Sequence, residues 1–149
     1  MKFAHTVELS VFSYEREDAN RISAAIAGLC PFDLAQEKVV LSRSTAQGFN
    51  ERKIIIFEIM LSKERHTSKF MSSLKEHLSD DQRTLIVKQA DSRLDSELNF
   101  FIRLDKDKLL GENKYWVTDS GNCFHIKISV AAFPADKTAG LKVIENWLG

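Results

Sequence analysis

The stretch KIIIFEIML, residues 53–61, decides the fold predicted from this sequence. After its first residue it is apolar at every position except Glu58. A short apolar run of this kind indicates a strand that is covered on both faces. We therefore expect residues 53–61 to form a central strand of a sheet. The side chains assigned to its buried part are Ile54, Ile56, Phe57 and Ile59.

The segments around this strand alternate between helical and extended patterns. Downstream, residues 65–78 place Phe70 and Leu74 on one helical stripe, which predicts a helix that covers the strand. Ser79 and Gln82 have the spacing of a capping box and predict the start of a further helix. The predicted strands are residues 4–14, 37–44, 53–61, 98–104, 114–117 and 123–133. The predicted helices are residues 15–30, 65–78, 79–94 and 135–148.

The order of these elements is β-α-β-β-α-α-β-β-β-α, with strands grouped in hairpins and no sustained βαβ alternation. This order predicts one α+β domain over residues 1–149, with a largely antiparallel sheet and helices packed on one face. No apolar run approaches the roughly 18 residues of a membrane span, so we expect no membrane association and a cytoplasmic protein. Cys30 and Cys123 are expected to be buried free thiols.

The charged segment Asp105-Lys106-Asp107-Lys108 is the most conspicuous short motif. A calcium loop would need an oxygen ligand where Leu109 stands, and no Gly-rich loop precedes a helix. The histidines are scattered and fit no nucleophilic signature. The sequence therefore predicts no metal, no cofactor and no enzymatic activity. The segment is either a structural turn that reverses at Gly111 with positive φ or a turn that also contacts a ligand.

Positive charge is concentrated in the middle of the chain, although the net charge is zero. Residues 38–77 hold eight Lys or Arg against four Asp or Glu. Such a surplus is more often a solvated face than a surface that contacts nucleic-acid phosphates, so the charge pattern alone favours the solvated face. The expected exposed rings are Phe49 and Trp116. The candidate RNA-binding residues are Arg43, Arg52, Lys53, Lys63, Arg65 and Lys69, with Arg103 and Lys106 beside them, in an elongated track.

The segment LNFFIRLDKDKLLGE, residues 98–112, resembles the signature of a family of small archaeal RNA-binding proteins described as predicted exosome subunits. That signature has a strand ending in Arg-Leu-Asp-Lys, then a short apolar segment and Gly-Glu. Further similar stretches are residues 4–18, 53–79 and 124–134, so the resemblance covers nearly the whole chain in the same order. The positions that match the signature are Arg103, Leu104, Asp105, Lys106, Gly111 and Glu112.

The resemblance implies an α+β fold similar to that of the ribosomal protein that binds 5S RNA, and it implies RNA binding without catalysis. The turn before the central strand departs from the family pattern, and contacts there would come through Asn50, Arg52 or Lys53. The leading interpretation is a non-catalytic accessory in RNA processing or ribosome biogenesis, with RNA and RNA-processing or ribosomal proteins as partners. The alternative is a protein-interaction module that uses its sheet edge or terminal helix.

Overall fold

The computed structural model describes residues 2–47 and 52–149 and confirms the predicted α+β class. The strands of the described residues are β1 (Ala4–Ser13), β2 (Leu41–Gln47), β3 (Lys53–Leu61), β4 (Asn99–Asp105) and β5 (Cys123–Val130). The helices are α1 (Ala19–Gly28), α2 (Glu64–His77), α3 (Asp80–Lys88), α4 (Ala90–Arg93), α5 (Lys106–Glu112) and α6 (Lys137–Leu148). Within the described residues, five strands form one sheet in the order β2-β3-β1-β5-β4, and all neighbouring strands are antiparallel.

The two faces of the sheet differ because side chains alternate along each strand. On one face, which we call the helix-covered face, Val7, Leu9 and Val11 of β1 are fully buried in a single hydrophobic core. Helices α2 and α6 contact each other over this core. Trp147 Nε1 of α6 donates a hydrogen bond of 2.9 Å to the carbonyl oxygen of Met71 in α2. The opposite face, called the open face, carries the alternate residues of the same strands.

The prediction that residues 53–61 form the central strand is wrong in one respect. Strand β3 has neighbours on both sides, but β1 lies at the centre of the sheet. Phe57 and Ile59 are buried on the helix-covered face as predicted. Ile54 and Ile56 are only half-buried because they point to the open face. Glu58 is the one polar residue after Lys53 and lies on the same face as Ile54 and Ile56, so it was the sequence signal that this face is open.

The charged segment is not a turn but the start of a helix. The Asp105 side chain caps α5 and accepts a hydrogen bond of 2.9 Å from the Lys108 amide. The left-handed residue that ends this helix is Asn113 with φ 52°, and not Gly111. The predicted strand at residues 114–117 is reduced to an isolated bridge between Val117 and Leu104. A polar side chain at an N-cap satisfies free amides of the first turn, which explains why the chain turns helical here.

Several local features follow the sequence closely. Ser79 caps α3 and accepts from the Gln82 amide, as predicted. The Gln82 side chain does not complete a capping box, since its oxygen accepts a hydrogen bond of 2.6 Å from the Val117 amide. Cys30 and Cys123 are buried free thiols, and burial raises the pKa of Cys30 to about 12. Within residues 2–47 and 52–149, the helices are too short or too polar to cross a membrane.

Candidate nucleic-acid interface

The hairpin of β2 and β3 exposes three of the predicted basic residues. Arg43 lies opposite Phe57 in the register, with its guanidinium carbon 5.7 Å from the centre of that ring. Lys53 lies opposite Gln47, and Arg52 precedes it. Arg43 does not lie at the same end of the hairpin as Arg52, because β2 continues beyond Arg43 to Gln47. Four strand residues at about 3.3 Å each separate Arg43 from Lys53, a distance of roughly 13 Å.

The remaining residues of the predicted track lie beyond the other end of β3, at the start of α2. Lys63 is the N-cap residue of α2, and Arg65 and Lys69 are exposed on its first turns. Arg65 is partly engaged, because its Nε lies 3.2 Å from Oε1 of Glu37. Glu37 also lies 3.0 Å from His66, and this hydrogen bond, with that from Arg65, lowers the pKa of Glu37. Lys63 and Lys69 are therefore more available to a ligand than Arg65.

Arg103 lies far from both groups. It is exposed on the open face of β4, at the opposite edge of the sheet from β2, and it donates to the carbonyl oxygen of Asp119 over 3.2 Å. Four strand spacings of about 4.8 Å place it roughly 19 Å from β2 across the sheet. The prediction that Arg103 lies beside the basic hairpin does not match this geometry.

Lys106 is the clearest correction among the predicted site residues. Its side chain has no exposed surface, and Nζ donates to the Phe12 carbonyl oxygen over 2.6 Å and to Oε1 of Glu17 over 3.0 Å. The ammonium group also lies 5.2 Å from the centre of the Tyr14 ring. Burial raises the pKa of Glu17, but hydrogen bonds from the Tyr14 amide and from Lys106 outweigh it and hold that pKa below its usual value. Lys106 therefore joins α5 to the end of β1 and cannot reach a phosphate.

The open face carries aromatic side chains in addition to the predicted site residues. Phe12 of β1 and Phe101 of β4 are exposed there, and Trp116 is exposed beside the edge of β4. Phe12 follows Thr6, Glu8 and Ser10 at alternate positions, so the sequence did place a ring on a polar face. Trp116 is exposed as predicted, whereas Phe49 and Asn50 lie outside the described residues.

Phe12 and Phe101 border a shallow groove on the open face. The groove has a volume of about 330 Å³, and its floor and walls include Phe12, Phe101, Arg103, His125 and Lys127. The ring centres of Phe12 and His125 are 6.3 Å apart. Burial, and then the positive charges of Arg103 and Lys106, lower the pKa of His125, so its imidazole is neutral near pH 7. The described residues contain no cluster of His, Cys, Asp or Glu suited to a metal ion.

An antiparallel sheet with one helix-covered face, together with exposed cations and rings, defines a candidate nucleic-acid-binding domain of the α+β class. Residues 6–130 match the model of a protein family described as RNA binding, and the chain belongs to that family. Over 146 residues it is 29% identical to RNA-binding protein PAB1135 of Pyrococcus abyssi, covering 97% of this chain and 94% of that protein.

Solved structures of archaeal proteins share the fold. Protein AF2318 of Archaeoglobus fulgidus superposes with a TM-score of 0.84 at 23% identity, over 97% of this chain and 99% of that one. Mth689 of Methanothermobacter thermautotrophicus superposes with a TM-score of 0.79 at 24% identity, over 99% of each chain. Both are described as members of the family DUF54. At this level of identity the likeness shows the fold alone.

Proposed function

We propose that the chain is a non-catalytic RNA-binding protein that contacts backbone phosphates through exposed cations along its β2–β3 edge and α2. The residues of this basic track are Arg43, Arg52, Lys53, Lys63, Arg65 and Lys69. The observation that carries the proposal is the exposure of these cations along the β2–β3 hairpin and the start of α2. Membership of the RNA-binding family, and a relative named as an RNA-binding protein, support the choice of ligand.

The ion pairs of the molecule also favour this surface. Among the described residues, the ion pairs involve Arg65 of the track but not Arg43, Lys53, Lys63 or Lys69. A cation without a carboxylate partner can neutralise a phosphate without first breaking an internal contact. The spread of these residues along a strand of about 30 Å suits an extended backbone and not a compact pocket.

The cellular role that we propose is an accessory in RNA processing or ribosome biogenesis in the cytoplasm. The described residues contain no metal-binding cluster, and two of the four histidines have structural partners, Glu37 for His66 and Ser73 for His77. A protein that acts by binding would bring an RNA to other components. RNA-processing or ribosomal proteins are the partners that this role requires.

Filter binding of total cellular RNA across a salt series tests the proposal. Counterion release predicts that log affinity falls linearly with log salt, with a slope near −0.7 per phosphate contacted on single strands. The double variant R52E/K53E should weaken binding to all RNA sequences evenly and reduce the slope by about 1.4, because two phosphate contacts are lost. Its melting temperature should stay nearly unchanged because both side chains are exposed.

The matched control reverses the charge of two exposed lysines outside the basic track, Lys88 of α3 and Lys142 of α6. The variant K88E/K142E changes the net charge by the same amount and should bind RNA more tightly than R52E/K53E. Equal losses in the two variants would show that only net charge matters. Absence of RNA retention at low salt, or a flat salt dependence, would instead favour a protein-interaction module, which the exposed edge of β2 could serve.

A further inference from the structure

The open face of the sheet carries a second surface with a different composition from the basic track. Three rings are exposed there, Phe12, Phe101 and Trp116, and we call them the aromatic stripe. Trp116 reaches this face because the segment after α5 pairs with the edge of β4. The Asp105 amide donates to the Trp116 carbonyl oxygen over 2.8 Å, and Val117 turns inward beside Leu104. Alternation along an extended chain then places the Trp116 side chain on the open face.

The aromatic stripe crosses several strands. From Trp116 the sheet continues through β4 and β5 to β1, which carries Phe12. Three strand spacings of about 4.8 Å separate Trp116 and Phe12, roughly 14 Å across the sheet. Arg103 and His125 are direct partners in the register between β4 and β5, and both point into this interval. Phe12 and Trp116 lie at the two ends of this line, and Phe101 lies on β4 four residues along the strand from Asp105, so the rings do not form one hydrophobic cluster.

Charged groups around the stripe indicate what it can bind. Lys108 and Lys114 place their ammonium groups 5.8 Å and 5.5 Å from the centre of the Trp116 ring. Arg103 and Lys127 flank Phe101. Glu8 of β1 also lines the groove, opposite Lys127, and Glu58 lies on the same face on β3; both carboxylates would repel a phosphate. The cations therefore lie around Phe101 and Trp116 at the β4 edge, whereas Phe12 shares β1 with the carboxylate of Glu8.

We propose that the aromatic stripe stacks the unpaired bases of single-stranded RNA, with their phosphates held by the cations at the β4 edge. This inference rests on the proposed RNA-binding function and adds a second contact surface to it. A base stacked on Trp116 lies within reach of the ammonium groups of Lys108 and Lys114. Stacking tolerates any base because every base has a π-face, whereas duplex RNA keeps its bases paired and out of reach.

The chain provides its own spectroscopic probe for this contact. It has two tryptophans, of which Trp116 is 42% exposed and Trp147 is 2% exposed with its Nε1 bonded to Met71. Adding single-stranded oligouridine to the full chain should quench the fluorescence of Trp116. A duplex of the same length should quench it much less. In the variant W116F, the remaining emission of Trp147 should not respond to either RNA.

Alanine variants test the other two rings by fluorescence anisotropy with labelled oligouridine and labelled duplex. F12A and F101A should each lower the affinity for the single strand by about 5- to 150-fold, the loss of one stacked base. Their affinity for duplex RNA should be unchanged. Phe133 supplies a matched control, because it is 98% exposed and lies outside the described strands, so F133A should bind both RNAs like the wild type.

The outcomes separate this proposal from the basic track. If R52E/K53E weakens both RNAs while the stripe variants weaken neither, the phosphate contacts stand and the stacking site is overturned. Binding without quenching of Trp116 overturns it as well. If the wild-type chain retains no RNA at low salt, both proposals fall. If F12A and F101A instead abolish self-association in sedimentation, the stripe is a protein interface and the proposal is wrong.

Discussion

The helix-covered face and the open face both carry phenylalanine, but they hold it in opposite environments. Phe100 and Phe101 are neighbours on β4, and they are 0% and 38% exposed, respectively. The same residue type therefore contributes to the core on one face and to the surface on the other. An exposed ring gives up part of the stabilisation that burial would provide, so Phe101 contributes less to the stability of the fold than Phe100.

The largest expected effect separates these two neighbouring residues. F100A should lower the free energy of unfolding by about 3–5 kcal/mol because it leaves a cavity in the core. F101A should lower it by only about 1 kcal/mol because its ring is partly in water already. Urea denaturation followed by circular dichroism measures both. If the two variants lost similar amounts of unfolding free energy, Phe101 would be as buried as Phe100, and the open face would not be exposed at this position.

The isoleucines of β3 extend the same comparison to a second strand. Ile59 is buried on the helix-covered face, whereas Ile56 is half-buried on the open face opposite Phe12 and Ser44. I59A should cost about 2–5 kcal/mol. I56A should cost about 1 kcal/mol, and not the larger loss that a central, doubly covered strand would imply. Denaturant titrations of both variants test which side chains of β3 face the core. A larger loss of stability for I56A than for I59A would mean that Ile56, and not Ile59, faces the helices.

Two lysines of α5 show that charge alone does not identify a site. Lys106 is buried against Glu17, whereas Lys108 pairs with Glu112 on the surface over 3.2 Å. K106M should destabilise the fold by about 2–3 kcal/mol, because Glu17 and the Phe12 carbonyl oxygen lose their buried partner while Glu17 keeps some contact with water. K108M should cost less than about 1 kcal/mol.

The double variant K106M/E17M is the control for this effect. It removes both charges, so it should recover part of the stability that K106M loses. Thermal unfolding of the three variants at one pH gives the comparison. If K106M is as stable as the wild type, the ammonium group is not held as the structure places it, and Lys106 would again be a candidate for RNA contact.

Much of the fold was predictable because its patterns are local. The alternation of residues 4–14 identified β1, and the cap at Ser79 identified the start of α3. The position of β3 in the sheet was not predictable, since its neighbours β1 and β2 are chosen by long-range pairing. Within residues 54–61 only Glu58 distinguishes the open face from the helix-covered face, because the other residues are apolar on both faces.

The candidate site was less predictable, because long-range contacts also decide which of its residues come together. The sequence around Lys106 predicts a solvated charge, because its buried ion-pair partner, Glu17, is 89 positions away in sequence. Phe12, Phe101 and Trp116 come from three distant segments, and only the strand order brings them to one face. The basic residues of 43–69 were identified from local composition alone, which does not show how far apart the strands hold them.

The smallest expected effect concerns the titration of His125 on the open face. Burial, followed by the positive charges of Arg103 and Lys106, lowers the pKa of His125 in the folded chain below its value near 6.5 in the unfolded chain. As pH falls below about 6.5, the unfolded chain binds a proton that the folded chain resists, so the stability of the fold decreases. Above about pH 7, His125 is neutral in both states and contributes no pH dependence.

The variant H125Q isolates this contribution because the other histidines are common to both proteins. Denaturant titrations between about pH 7.5 and pH 5 should show that the wild type loses more stability on acidification than H125Q does. Glu17 and Asp95 have lowered pKa values, so their contributions are lost only at more acidic pH, below about 4.5. Parallel curves would mean that His125 is open to water and that the cations around it do not act on its ring. The groove on the open face would then be wider than the structure indicates.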